Sequence, residues 1–242
     1  MKNVGIVIPT KNAYKELRET IPKIRETVPE AQIFIMDDRS SDGTPFLAKD
    51  LGCIIPFCFK KRGYGKSYVE GLAKAFYEYN CKYVIAMDAD HTTTSLRKMV
   101  SGLRSNKFDM IIGVESGRRA SRSVAGFLAR RFLGLKKFRH PTCGLVGFTN
   151  KSLKHLLAEE KIKSNNDFVH VELVYKANRL AFRFGEVEFS GEEHEKHRIT
   201  LRRIIRWLWS FNFLFLRRIT THLWKNLYKR LMGDKVSTMG NL

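Results

Sequence analysis

Val84-Ile85-Ala86-Met87-Asp88-Ala89-Asp90 sets an apolar run directly before two carboxylates one residue apart. In an extended chain the side chains at i and i+2 point to the same side. If the chain stays extended here, Asp88 and Asp90 face one cation together. Oxygen ligands suit Mg2+ or Mn2+, which bind through one or two carboxylates plus substrate phosphates. Open α/β sheets hold their ligands at the carboxyl ends of the strands, so the chemistry expected is a metal-bridged phosphate substrate. A second acidic pair, Asp37-Asp38, follows the apolar run 32–36. Two such strand ends can converge on one crevice, the first pair holding a base or ribose and the second the metal. For either pair alone, solvated loop acids or helix caps are the ordinary alternative. The run Lys60-Lys61-Arg62-Gly63-Tyr64-Gly65-Lys66 offers amides and cations to a diphosphate. It lacks the spacing of a P-loop or of a dinucleotide-binding turn, and alone it reads as a turn. His91, His140, His194 and His197 are titratable candidates whose common alternative is a hydrogen-bonded structural or surface role.

The elements that must position these residues follow from periodicity. Short apolar runs at 4–8, 32–36, 53–59, 82–87, 108–112 and 181–189 read as strands, with a further turn and strand over 140–149. Helical spacing marks 14–27 (despite Pro22), 67–79, 95–105 and 166–179, and Ser40–Pro45 supplies turn residues and a helix cap. Strands alternating with helices predict a mainly parallel three-layer α/β sheet. Residues 199–231 read as helical, strongly basic and rich in aromatics.

The 242 residues are enough for one sizeable α/β domain with a C-terminal extension, and 43% hydrophobic content argues against wholesale disorder. A formal net charge of +20 implies an anionic partner: nucleic acid, a phospholipid surface or a phosphorylated substrate. No Asp or Glu occurs between Lys196 and Met232, so the excess is concentrated there. The four cysteines lack paired CxxC spacing and read as reduced, buried thiols. The chain opens on a strand, and no signal peptide is expected before it.

Four ordered segments resemble family 2 glycosyltransferases: Ile6–Asn12, Asp37–Thr44, Gly63–Lys66 and Met87–Asp90. The nearest branch is that of polyprenyl-phosphate sugar transferases of the dolichol-phosphate mannose synthase type. The resemblance implies a GT-A fold, a nucleotide-diphosphate sugar donor and a divalent metal, Mg2+ or Mn2+, on Asp88 and Asp90. It implies a donor site of Pro9, Thr10, Asn12, Asp37, Asp38, Lys66, Asp88 and Ala89, with Pro9 and Asp38 flanking the base. Asp90, His140 and Glu172 become the catalytic candidates, Glu172 through a Val-Glu-Leu segment placed near the sugar. The family's Gly-Ser-Arg is Gly113-Val114-Glu115 here, and Arg118, Arg119, Arg122 and Arg198 are the candidates for gripping an acceptor phosphate. Its Asp-x-x-Ser-Gly is His140-Pro141-Thr142-Cys143-Gly144, and a frequent glutamine after the acidic motif is Thr92, preceded by His91.

Trp207–Leu216 is apolar apart from Ser210 and Asn212, and arginines rim it on both sides. That is about half the ~20 residues a spanning helix needs, and it fits an in-plane helix on an anionic membrane surface. Aromatics packed this densely with Leu and Ile point to burial or lipid, and no nucleic-acid motif is present, so nucleic acid is disfavoured. The expectation is a GT-A domain over 1–198 and a membrane-interfacial extension over 199–242, acting peripherally at the cytoplasmic face of the cell membrane. The reaction expected is inverting transfer of a sugar to a polyprenyl phosphate. The alternatives are a polysaccharide or protein hydroxyl acceptor, and a basic nucleic-acid-binding protein on an α/β scaffold.

Overall fold

Val4–Thr10 (β1) is buried at every position, as its unbroken apolar run demands of a strand covered on both faces. In the computed structural model, which describes residues 3–56, 63–116, 124–190, 209–212 and 214–216, β1 lies inside a six-stranded sheet. The other strands are β2 (Ala31–Asp37), β3 (Tyr83–Ala86), β4 (Met110–Ser116), β5 (Val146–Thr149) and β6 (Phe184–Ser190), in the order β2-β1-β3-β5-β4-β6. β1 pairs parallel with β2 and β3, and β4 with β6, while β5 runs antiparallel to both neighbours. The sheet is thus mainly parallel, with one reversed strand that periodicity does not reveal.

The helices are α1 (Tyr14–Thr27), α2 (Thr44–Asp50), α3 (Tyr64–Tyr77), α4 (Leu96–Arg104), α5 (Val124–Phe132), α6 (Asn150–Glu159) and α7 (Val169–Arg179). α1 buries Leu17, Ile21 and Ile24 and accommodates Pro22 within its length. α3 packs on β1, β2 and β3. There Gly71 lets the helix sit close, because a Cβ would lie 2.3 Å from Val7 Cγ1. The run 53–59 departs from expectation. Among its described residues only Ile54 bridges Phe34, through Ile35 N–H to Ile54 O at 2.9 Å and Ile54 N–H to Ile33 O at 2.8 Å. Pro56, two residues on, has no amide to extend the ladder, and 57–62 lie outside the described residues. α6 lies where no element was expected, capped by the Thr149 hydroxyl accepting from Ser152 N–H at 3.2 Å.

Of the basic extension, residues 209–212 and 214–216 are described, and they are helical. Leu214 is buried, and the rings of Phe211 and Phe215 meet Phe132 of α5 at 6.2 and 6.0 Å. No helix among the described residues is long and apolar enough to cross a membrane.

Candidate active site

β1 and β2 run in register, Thr10 beside Asp37, so both strands end at the same crevice. Asp37 is fixed by its own turn. Its Oδ1 accepts from the Ser40 hydroxyl and, at 3.4 Å, from Thr10, and its Oδ2 accepts from Ser40 N–H at 3.0 Å. Asn12 takes a left-handed backbone (φ 54°) that turns its side chain onto Ser41, whose N–H it accepts at 2.9 Å. Asp38 is buried, and its Oδ2 accepts from Gly63 N–H at 3.3 Å. Pro9 and Thr10 are buried in β1, and Lys66 is exposed on the first turn of α3.

The premise of an extended chain at Asp88-Ala89-Asp90 fails, although the turn that replaces it keeps the two carboxylates near each other. β3 ends at Ala86, and 88–91 form a turn closed by His91 N–H to Asp88 O at 3.2 Å. The turn swings His91 beneath the carboxylates. Its Nδ1 lies 3.6 Å from Asp88 Oδ2 and 3.9 Å from Asp90 Oδ1. Asp88, Asp90 and His91 each offer a ligand atom, all within 4.8 Å of one another. Ala89 anchors the turn by accepting from the Thr20 hydroxyl of α1 at 2.7 Å.

The first turn of α3 ties the two acidic motifs together. Gly63 donates to Asp38, and the adjacent Tyr64 hydroxyl donates to Asp88 Oδ1. His170 Nε2 stands 3.0 Å from that same hydroxyl. Because the tyrosine proton goes to Asp88, His170 donates Nε2–H to the phenolic oxygen, which leaves Nδ1 as the acceptor. That Nδ1 is buried without a hydrogen-bond partner among the described residues. Burial and the Asp88 charge hold the Tyr64 phenol well above its usual range, so it stays a neutral donor. Burial lowers His170, which is therefore a neutral imidazole. For His91 burial opposes the charge, but hydrogen bonds to Asp90 and Cys143 and the charge of Asp88 outweigh it and raise its pKa.

The segment His140-Pro141-Thr142-Cys143-Gly144 closes the site from β5. Cys143 N–H donates to His140 O at 3.2 Å, and Tyr68 donates its hydroxyl to Gly144 O at 2.8 Å. Gly144 lies so near Asp88 that a Cβ there would stand 2.3 Å from Oδ2. Cys143 Sγ is 3.9 Å from His91 Nε2 and is hydrogen-bonded to His140. Burial would raise the Cys143 thiol, but the two histidines together lower it. His140 is thus buried behind Cys143, one residue removed from the carboxylates.

Glu172, expected near the sugar, is 1% exposed, on a helix buried along nearly its whole length. Its carboxylate accepts from Lys163 N–H at 3.0 Å, Ser164 N–H at 2.7 Å and Lys176 Nζ at 2.5 Å. Those bonds hold residues 163–165 against the start of α3, where a Cβ on Gly65 would lie 2.2 Å from Ser164 O. Gly63, at φ 81°, would carry a Cβ 2.7 Å from Asn165 Oδ1. The glycines of Gly-Tyr-Gly-Lys are therefore needed for a crossing of two chain segments, and residues 64–66 are helix, not loop. Arg118, Arg119, Arg122, Arg198, Lys60, Lys61, His194 and His197 lie outside the described residues. A cavity of about 430 Å³ opens beside Asp90 and His91 and is lined also by Lys15, Glu19, Lys23 and Thr93. Sequence reasoning missed Tyr64 and His170. Tyr64 sits within a quoted motif, whereas nothing local distinguishes His170 from a core residue.

The profile of the family described as "Glycosyl transferase family 2" matches residues 5–146, more than half of the chain and both acidic motifs. The chain belongs to glycosyltransferase family 2. Among curated relatives of this glycosyltransferase, the undecaprenyl-phosphate mannosyltransferase of Micrococcus luteus is 27% identical over 206 residues, spanning 78% of this chain and 83% of its own. Protein RfbJ of Shigella flexneri is 27% identical over 113 residues, 46% of this chain and 84% of the relative. Among solved structures, glucosyl-3-phosphoglycerate synthase from Mycobacterium tuberculosis, in complex with Mn2+, UDP and glucosyl-3-phosphoglycerate, superposes with a TM-score of 0.71 at 17% identity. It covers 89% of this chain and 79% of its own. Mannosyl-3-phosphoglycerate synthase from Rubrobacter xylanophilus gives 0.65 at 18% identity, covering 91% and 74%. At such identities the structural likeness establishes the GT-A fold.

Proposed function

We propose that this glycosyltransferase moves a sugar from a nucleoside diphosphate to a polyprenyl phosphate, with a divalent metal in the site. The observation that carries the donor reading is the bridge made by α3, whose Gly63 amide and Tyr64 hydroxyl bind Asp38 and Asp88 and set both acidic motifs on one crevice. Pro9, Thr10, Asn12, Asp37 and Asp38 line the base and ribose end, and Ala89 and Lys66 flank the diphosphate. Asp88 and Asp90 are the residues that would hold the metal, and paired carboxylates beside a phosphate suit Mg2+ or Mn2+. When bound, such an ion neutralises charge developing on the leaving diphosphate. Tyr64 keeps Asp88 aimed, Gly144 lets it approach, and His140 supports the turn through Cys143.

The acceptor reading rests on the Micrococcus luteus relative, named for undecaprenyl phosphate, whose match spans most of both chains. A phosphate monoester is ionised near neutral pH and needs no strong general base, whereas a hydroxyl acceptor does. Glu172, spent on Lys176 and two backbone amides, leaves Asp90 as the catalytic candidate at the crevice, with His140 a positioning residue that acts through Cys143. Arg118, Arg119, Arg122 and Arg198 remain the candidates for the acceptor phosphate. Peripheral attachment at the cytoplasmic membrane face, through residues 199–242 appended to a domain of 1–198, is supported by exposed Phe127 and Phe132 on α5 with Arg130 and Arg131, and by exposed Trp209 and Leu216 of the extension. A second reading takes a small phosphorylated acid as acceptor, since both structural neighbours are named for phosphoglycerate products.

The experiment supplies purified protein and Mn2+ with a panel of nucleotide sugars. It then adds a short polyprenyl phosphate, 3-phosphoglycerate or an oligosaccharide in separate arms. A labelled organic-soluble product in the first arm alone is expected; product only with phosphoglycerate or oligosaccharide overturns the acceptor, and no donor turnover in any arm overturns the whole reading. Asp90→Ala should abolish turnover with its thermal midpoint kept, and retained activity would sink the metal assignment.

A further inference from the structure

We infer that His91 is a third, nitrogen ligand of the ion held by Asp88 and Asp90, and that it biases the site toward Mn2+ over Mg2+. The inference rests on the metal reading above and adds the ligand that sets the preference. Two atoms bonded to one ion at ~2.1 Å can be no more than ~4.2 Å apart. His91 Nδ1 meets that limit toward both carboxylates, at 3.6 and 3.9 Å, and the three groups together lie within 4.8 Å, so closing on one ion takes only a small side-chain adjustment. The burial gradient has the same sense. The His91 side chain is 17% exposed against 30% and 38% for Asp88 and Asp90, so it floors a cluster whose open side faces solvent.

The other ring nitrogen is placed as a ligating histidine requires. Such a histidine gives its second N–H to a supporting partner, which fixes tautomer and ring orientation. Here Nε2 faces Cys143 Sγ at 3.9 Å, and Cys143 is itself held by His140. Phe189 packs on the imidazole ring at a tilt, centroids 5.4 Å apart. With Nε2 held by sulfur, Nδ1 is the nitrogen that faces the carboxylates, and an ion bound there takes the place of its proton. Mn2+, though well served by oxygen, takes a nitrogen ligand more readily than Mg2+, which dehydrates reluctantly and retains its waters. An Asp2His set therefore disfavours Mg2+ relative to the two carboxylates alone.

Mn2+ binding tests this by pulsed electron paramagnetic resonance and by calorimetry, with Mn2+ alone and with Mn2+ plus UDP. Wild-type protein should show directly bound imidazole nitrogen. His91→Ala should lose that signal and weaken Mn2+ binding by at least ~10-fold, the loss expected even for a ligand's supporting partner, with Mg2+ binding changed less than about threefold. His91→Gln, of similar volume, repeats the comparison should the alanine variant fold poorly, and the wild-type spectrum needs no variant. Tight Mn2+ without nitrogen coupling overturns the inference and leaves the Asp88–Asp90 site standing, as does a nitrogen signal that survives either variant. Absence of Mn2+ binding in wild type overturns both.

Discussion

Gly144→Ala isolates the geometry of Asp88 from the stability of the fold. The new Cβ would meet Asp88 Oδ2 at 2.3 Å and Cγ at 3.0 Å, while ordinary contact begins at 3.4 Å. The oxygen must therefore retreat by about 1.1 Å, on the scale at which misplacement costs ~100-fold in rate. That corresponds to ~2.7 kcal/mol of transition-state stabilisation. The yielding atom is the end of a side chain, and the backbone at 144 suits an L-residue, so the cost to folding should stay near ~1 kcal/mol. For a chain of this size that is a shift of roughly 2–4 °C in Tm. The assay is release of nucleoside diphosphate from a donor sugar the wild type turns over, at saturating Mn2+, beside thermal unfolding. Turnover within about threefold of wild type would refute the argument that the Gly144–Asp88 approach sets the carboxylate. A fall in Tm beyond about 8 °C would show instead that the glycine serves the fold.

Gly65→Ala should behave in the opposite way. The obstructing atom is the Ser164 backbone carbonyl at 2.2 Å, so overpacking should cost ~1–3 kcal/mol of stability in urea unfolding; an unchanged midpoint would refute the chain crossing. Lys176→Met strips the cation from a buried pair 0% and 1% exposed and should cost ~3–5 kcal/mol by the same measurement. The Glu172 carboxyl is held below its usual range because the Lys176, Ser164 and Lys163 bonds outweigh burial, which acts to raise it. Its stabilisation is thus present above the unfolded value of ~4.3 and is lost as pH falls through the lower folded value. Tm measured from pH 6 to pH 3 should show that loss in wild type and less of it in Lys176→Met.

The strand ends were legible because apolar runs stop where acids begin, and β1, β2 and β3 appear with Asp37-Asp38 and Asp88-Ala89-Asp90 at or just beyond their carboxyl ends. Periodicity did not distinguish an antiparallel β5 from a parallel one, since direction is set by connections and not by the alternation of side chains. It also placed α3 three residues late, because Gly63 and Gly65 resemble a loop until the segment 163–165 that they accommodate is seen. His91 stood level with three other histidines in the sequence and is set apart by the turn that carries its ring under the carboxylates.

What the sequence determined by itself was the inventory: a family 2 glycosyltransferase with two acidic motifs and a basic, aromatic C-terminus. Motif residues are close in the chain, so their types and spacing survive without a fold. The tertiary structure decided which distant groups act on them. Tyr64 reaches Asp88, and His170, 106 residues away in sequence, backs the tyrosine hydroxyl. Glu172, which a motif match placed near the sugar, is drawn into the interior by Lys176 one helical turn away. A carboxylate's role depends on what neutralises it. For Glu172 it is Lys176 within the core, and for Asp88 and Asp90 the nearest cationic group among the described residues is the His91 ring beside an open crevice.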